Sequence, residues 1–296
     1  MKEVDFMTTI STIIPVYQDS GLPFETLKET IISILSQTRA PIEIILSDDS
    51  SGNAVEDWVH EFNRTSPVPL TYLRNPGPRG VSSNSNFASK HAQGELLHFL
   101  HSDDHIVGIE VYGEVFTIFE ETSCPWLLLG GRMNGIITIP SLADLNLFGV
   151  NTVGGPSGLI VKKSIFEGFD ENISLLMDIE YFLRTWKKHG TPVISNMVSI
   201  NYGSGNWQLT KTIDEEKHSR ELLYLWGNLQ LLYADFNNLM NTPDCWDVKK
   251  IAYNFLTSDV RLGVVRKCRV ILFYNYASQK FKFLSISKRL IQRIIH

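Results

Sequence analysis

A chain of 296 residues with 43% hydrophobic and 20% charged residues and a formal charge of −5 has the balance of an ordinary globular protein with enough apolar material for a core in one or two domains. No run of eighteen uncharged apolar residues occurs, the first residues carry acids where a signal peptide would be basic and then apolar, and a cytoplasmic location is the expectation. Three widely spaced cysteines (Cys124, Cys245 and Cys268) fit neither a disulfide framework nor a zinc site and read as packed thiols.

In chain order, residues 9–16 are rich in β-branched side chains and read as a strand, and residues 23–37 place Leu27, Ile31, Ile34 and Leu35 at helical spacing behind a proline. A strand at 42–46, a helix near 53–63, a strand at 70–73, a helix near 82–92 and a strand at 95–100 follow. Strands alternating with helices of this length predict βαβ units with right-handed crossovers and a mostly parallel α/β sheet flanked by helices. Beyond residue 108 come a helix near 109–121, a strand at 126–129, a glycine-bearing hairpin-like stretch to Pro140, helical spacing at 175–188, a strand at 192–200 and a long helix from 213 to about 240.

Three of the early strands end in polar groups: Pro15-Val-Tyr17, Ser47-Asp-Asp-Ser-Ser51 and His101-Ser-Asp-Asp104. In a parallel sheet these ends share one edge, the carboxyl edge at which open α/β sheets bind ligands. Adjacent carboxylates on a short turn suit a hard divalent cation, which can hold a diphosphate. A nucleotide laid there could stack its base near Tyr17, bond it to a carboxylate such as Asp48, and present its diphosphate to a cation at Asp103.

In order and spacing these residues, together with Arg79-Gly-Val-Ser-Ser83 through Asn86 to Gly94-Glu95, resemble the family 2 glycosyltransferases with the GT-A fold over roughly residues 10–200. The resemblance implies a Rossmann-like nucleotide-binding half at about 8–107 and an acceptor half at about 108–212; residues 213–296 read from their own pattern as a helical C-terminal region. It also implies Mn²⁺ or Mg²⁺ as cofactor and transfer of a sugar from a nucleotide-sugar donor with inversion. Carried over residue by residue, Pro15, Tyr17 and Asp48 hold the nucleotide. Asp103 is the principal metal ligand, with Asp104 in support. His101 stands where the family usually has an aspartate, and contacts ribose, metal or metal-bound water. Ser85 stands where many relatives have arginine, and Arg79 is the substitute cation.

The same resemblance reads Leu176-Met-Asp178 as the family's acidic pair at a helix start, with Asp178 as general base, Met177 replacing the preceding acid and Glu180 two residues on. A helix amino terminus favours an ionised Asp178. Because an ordinary aspartate, pKa about 3.9, is a weak base toward an alcohol, the proton leaves late as the new bond forms. Gly155 in the Gly154-Gly155 pair reads equally as a turn or as a close approach of backbone to sugar. Trp207, in the polar stretch 201–210, reads as a sugar platform or as part of a plain surface loop.

Charge is unevenly divided. Residues 261–296 contain nine of the 27 Lys and Arg and no acid, leaving 18 cations against all 32 acids in residues 1–260. With apolar spacing at Phe283, Leu284, Ile286, Leu290, Ile291, Ile294 and Ile295, this tail reads either as a helix on an anionic membrane surface or as packing against the body or a second copy in a homo-oligomer. Peripheral membrane attachment would suit a glycan or polyprenyl-linked acceptor in polysaccharide or O-antigen biosynthesis. No nucleic-acid partner is expected. An inert sugar-nucleotide or glycan-binding module is the alternative, because His101 and Met177 replace acids; a dehydrogenase is disfavoured by the lack of Gly-x-Gly-x-x-Gly after the first strand.

Overall fold

The first strand, β1 (Ile10–Val16), is buried along its whole length. Such a continuous apolar run belongs to a strand covered on both faces. The computed structural model describes residues 8–66, 68–141, 153–212 and the helical residues 217, 221 and 224. The basic tail, Cys245, Cys268 and most of the helix read over 213–240 lie outside these residues. The chain divides into two units, residues 1–239 and 240–296, and everything described falls in the first.

After β1 come α1 (Phe24–Leu35), β2 (Glu43–Asp48), α2 (Ala54–Phe62), β3 (Leu70–Arg74), α3 (Val81–His91) and β4 (Leu96–Phe99). These are followed by β5 (His105–Ile106), α4 (Val111–Glu121), β6 (Trp126–Met133), β7 (Ile136–Thr138), β8 (Leu159–Lys162), α5 (Met177–His189), β9 (Val193–Asn201) and the single turn α6 (Leu209–Thr212). The sheet order is β3-β2-β1-β4-β8-β6-β9-β5, with β7 added to β6. β3, β2, β1 and β4 pair in parallel, as the alternation of strand and helix predicts. From β8 onward the sheet is mixed: β8 is antiparallel to both β4 and β6, β9 is parallel to β6, and β5 is antiparallel to β9.

Two strands escaped the sequence reading. β5 has two residues, too short for any period, and β8 lies in a stretch whose glycines dominated its reading. The hairpin was legible because Asn134 and Gly135, with φ of 50° and 81°, supply the positive-φ pair that a tight two-residue turn requires.

Alternation along the strands separates two packed layers. Ile10, Ile14 and Val16 of β1 share one core cluster with Leu27, Ile31 and Ile34 of α1, Val55 and Val59 of α2, and Val111, Val115 and Phe116 of α4. On the opposite face Phe99 of β4 packs against Phe166 and Phe169, which in turn meet Tyr181 of α5. Each such fully buried aromatic or aliphatic side chain contributes about 1.5–3 kcal/mol by leaving water. This two-sided packing leaves the carboxyl ends of β1, β2 and β4 side by side along one edge.

Candidate active site

The ends of β1 and β2 are fastened together before any ligand is considered. Asp49 N donates to the Val16 carbonyl (3.0 Å), and Gln18 N donates to Ser50 Oγ (2.8 Å). Asn84 of α3 donates its amide to Ser47 O (2.7 Å) and Val16 O (3.3 Å), closing the gap where the two strands splay. Pro15 is buried within β1, whereas Tyr17, the next residue but one, is exposed at the strand end. Its ring therefore faces solvent at the edge where a base would stack.

Asp48 is fully buried. Its Oδ1 accepts from Ser50 N (2.8 Å), its Oδ2 accepts from Tyr72 Oη (2.9 Å), and Arg74 Nη1 lies 3.5 Å from Oδ2. Arg74 continues to the carbonyls of Ser50 and Gly52, so a buried carboxylate and a guanidinium hold the turn in shape. Burial raises the Tyr72 phenol, as does its bond to Asp48. Asp49, read in the sequence only as part of the Ser47–Ser51 turn, faces the other side of the turn and accepts from Asn75 Nδ2 and Gly80 N (both 2.8 Å). Burial raises its carboxyl above the usual range, against the opposing pull of these two bonds and of Arg79. Arg79 is largely exposed, 4.0 Å from Asp19 Oδ2.

At the end of β4, ligand atoms of His101, Asp103 and Asp104 lie within 4.8 Å of one another. The His101 ring nitrogen Nε2 is buried and has no hydrogen-bond partner. Burial lowers the imidazole's proton affinity, with Asp103 opposing, which leaves a neutral ring with a lone pair to donate. Asp104 is the most enclosed of the three: Oδ1 accepts from Gly203 N (2.7 Å) and Oδ2 from Ser157 Oγ (2.5 Å). Burial pushes its carboxyl up to about 8, helped by the charge of Asp103. Asp103 Oδ2 accepts from Trp207 Nε1 (3.0 Å), while its Oδ1 makes no hydrogen bond among the described residues. An imidazole nitrogen without a hydrogen-bond partner, the second oxygen of Asp103 and the adjacent Asp104 carboxylate form a donor set that fits a divalent cation. The imidazole suits Mn²⁺ better than Mg²⁺.

Ser157 links this cluster to the interior. Besides reaching Asp104, its Oγ accepts from His101 N (2.9 Å), and its carbonyl contacts His98 Nε2 (2.9 Å). His98 Nδ1 meets Tyr112 Oη (2.8 Å), which meets Thr12 Oγ1 (2.6 Å). Complete burial lowers His98 to about 4, so it is neutral.

Tyr202 fills the space between the Gly154–Gly158 segment and β6. A Cβ built on Gly131, Gly154 or Gly158 would come within 2.3, 2.8 or 3.1 Å of its side chain, and one on Gly155 within 3.3 Å. The glycine pair thus accommodates a phenol ring of this chain. Burial raises the phenol, and both Asp104 and Asp178 add to the shift by their charge. Asp178 is buried in the first turn of α5, where Oδ1 accepts from Ile179 N (2.8 Å). Glu180 pairs with Arg184 through both oxygens (2.8 and 2.9 Å). The Met177 side chain packs against Ser82 of α3, Sδ 3.4 Å from the hydroxyl.

Ser157, Tyr202, Asn84 and Arg74 were all missed in the sequence, and Asp49 was read only as part of the Ser47–Ser51 turn. A serine between Pro156 and Gly158 and a tyrosine just before Gly203 carry no local signature; only their tertiary placement gives them a role.

A mixed sheet whose parallel half ends in an acid-lined edge, with a His101, Asp103 and Asp104 cluster after β4, is the arrangement of a GT-A fold. Residues 11–107 match the family described as Glycosyl transferase family 2. The chain is 32% identical over 109 residues to the Escherichia coli UDP-Glc:alpha-D-GlcNAc-diphosphoundecaprenol beta-1,3-glucosyltransferase WfaP, covering 37% of this chain and 41% of the relative. It is 32% identical over 123 residues to the Bacillus subtilis minor teichoic acid biosynthesis protein GgaB, covering 41% of this chain and 13% of the relative. The chain thus spans less than half the length of either relative. Among solved structures, S. aureus TarS 1-349 in complex with UDP-GlcNAc matches with a TM-score of 0.54 at 18% identity, over 78% of this chain and 67% of that one, which shows a shared fold.

Proposed function

We propose that this chain is an inverting, metal-dependent glycosyltransferase that moves a sugar from a nucleotide diphosphate to a hydroxyl of a glycan or lipid-linked acceptor. The observation that carries the reading is the His101, Asp103 and Asp104 cluster, with a buried His101 Nε2 that has no hydrogen-bond partner, on the same sheet edge as the β1 and β2 ends. When bound there, Mn²⁺ or Mg²⁺ would neutralise the departing diphosphate. His101, Asp103 and Asp104 are its ligands; Tyr17, the backbone at Pro15 and the Asp48–Asp49 turn receive the nucleotide, with Arg79 at its rim.

The reaction is a single displacement. The acceptor oxygen attacks the anomeric carbon, the carbon–oxygen bond to the diphosphate breaks with its electron pair leaving on the diphosphate, and Asp178 takes the acceptor's proton late in that step. The amino-terminal end of α5 favours the anionic form of Asp178 before transfer. Tyr202 and the Asp103-bound Trp207 restrict the water that would hydrolyse the donor.

The UDP-glucose and UDP-GlcNAc in the names of the relatives make UDP-sugars the first donors to test, and the diphosphoundecaprenol acceptor named for WfaP supports a lipid-linked acceptor. No helix among the described residues is long and apolar enough to cross a membrane. The nine cations and absence of acids in residues 261–296 support contact of that segment with an anionic membrane surface. A thermal-shift screen of UDP-, GDP-, dTDP- and CDP-sugars with Mn²⁺, followed by transfer assays, tests the proposal. Donor binding without transfer to any polyprenyl-linked glycan, and without donor hydrolysis, supports the inert module that Met177 in an acid's place would favour.

A further inference from the structure

Glu221 lies beyond the last strand, outside the segment matched to the family, and is buried to within 4% of its surface. A glutamate so enclosed demands partners, and Glu221 has four. Oε1 accepts from Ser174 N (3.0 Å) and Ser174 Oγ (2.8 Å); Oε2 accepts from Leu175 N (2.7 Å) and Leu176 N (3.1 Å). Leu176 is the N-cap residue of α5, and its own side chain supplies no capping bond. Backbone N–H groups at a helix start have no intrahelical acceptor, so a carboxylate delivered from a distant segment fulfils the requirement. Asp178 follows two residues after the last of them.

A second contact lies three residues on. Tyr224 Oη donates to Asp170 Oδ2 (2.8 Å) and accepts from Asn172 Nδ2 (3.1 Å), so residues 221 and 224 grip the two ends of the 170–176 loop. The loop's other side is held by α3: Asn86 bonds both the N–H and the carbonyl of Phe169 (2.7 and 2.8 Å), and Ser82 Oγ donates to Ile173 O (2.6 Å). Without Glu221, three consecutive N–H groups at the entry to α5 would lose their acceptor while α3 continued to anchor the rest of the loop.

We infer that Glu221 is a positioning residue for Asp178: it fixes the turn into α5, and thereby makes turnover depend on a segment outside the nucleotide-binding half. This rests on the reading of Asp178 as base. The test uses the full chain, with Glu221→Ala and, as the fold-preserving variant, Glu221→Gln, whose amide keeps one acceptor oxygen but turns a donor toward the backbone.

Amide hydrogen exchange over residues 174–179 should accelerate at least tenfold in Glu221→Ala and less in Glu221→Gln, with β1 to β4 unchanged. In the transfer assay with UDP-glucose and Mn²⁺, kcat should fall at least tenfold in Glu221→Ala and about threefold in Glu221→Gln, with the Kd for UDP within twofold of wild type. Wild-type exchange over 174–179 in both variants overturns the inference whether or not transfer is observed. Accelerated exchange with unchanged kcat overturns the link to turnover. Failure of the underlying reading looks different: Asp178→Asn would then turn over at the wild-type rate, or wild type itself would neither bind nor transfer any donor.

Discussion

The two halves of the sheet build their share of the site by different means. In the parallel half, each polar strand end is held by residues close in sequence or in the next βα unit: Asp48 by Ser50, Tyr72 and Arg74, and Asp49 by Asn75 and Gly80. The end of β4 is held instead by the later, mixed half: Asp104 is enclosed by Ser157 and Gly203, 53 and 99 residues away, and Asp103 is reached by Trp207, 104 residues away. The edge at the ends of β1 and β2 is thus preformed by local geometry, whereas the His101–Asp104 cluster and the turn that carries Asp178 take their shape only when late segments close over them. Disruption of the first half should cost stability and donor binding together; disruption of the second should cost turnover first.

The largest expected effect belongs to the second half. Asp178→Asn should lower kcat by about 10²–10⁴-fold while UDP binding, measured by calorimetry, stays unchanged, because general-base help is of that order and the nucleotide is held elsewhere. Loss of UDP binding in this variant would erase the distinction between the halves. For the first half, Asp48→Ala leaves Tyr72, Ser50 N–H and Arg74 without their shared acceptor, at a cost of about 3 kcal/mol read from the denaturant midpoint. UDP affinity should fall with it; a midpoint equal to wild type would show that the turn holds its shape without the acid.

Acid probes the seam between the two halves. His98 is lowered to about 4 in the folded chain from its ordinary 6.5, so the unfolded chain binds the proton first as pH falls. The contribution of its neutral form is present above pH 6.5 and is lost progressively down to about pH 4, amounting to about 3 kcal/mol. Melting temperatures taken from pH 7 to 4.5 should show this decline, and it should flatten in His98→Gln. The smallest effect is that of Ser157→Ala, which removes one donor to Asp104 and the acceptor for His101 N, at about 1–3 kcal/mol. Its signature is a weaker Mn²⁺ response in the thermal-shift assay with UDP affinity in the absence of metal unaltered; an unchanged Mn²⁺ response would remove Ser157 from the cation cluster's support.

Much of the first half was open to reading from residue order alone. β-branched runs such as Ile10–Val16 and the spacing of Leu27, Ile31 and Ile34 determine parallel strands and covering helices, because burial on both faces demands continuous apolar runs and burial on one helix face demands the 3.6-residue period. The polar triplets ending β1, β2 and β4 then had to share an edge. The residues that decide how the site is closed carry no such period. Tyr202 matters because Gly131, Gly154, Gly155 and Gly158 leave room for its ring, Ser157 because it sits between Asp104 and His98, and Glu221 because three N–H groups of a distant turn lack another acceptor. Local propensity acts over a few neighbouring residues, whereas enclosure of a charge depends on which segments the completed chain brings within hydrogen-bond distance, and that was settled only by the tertiary structure.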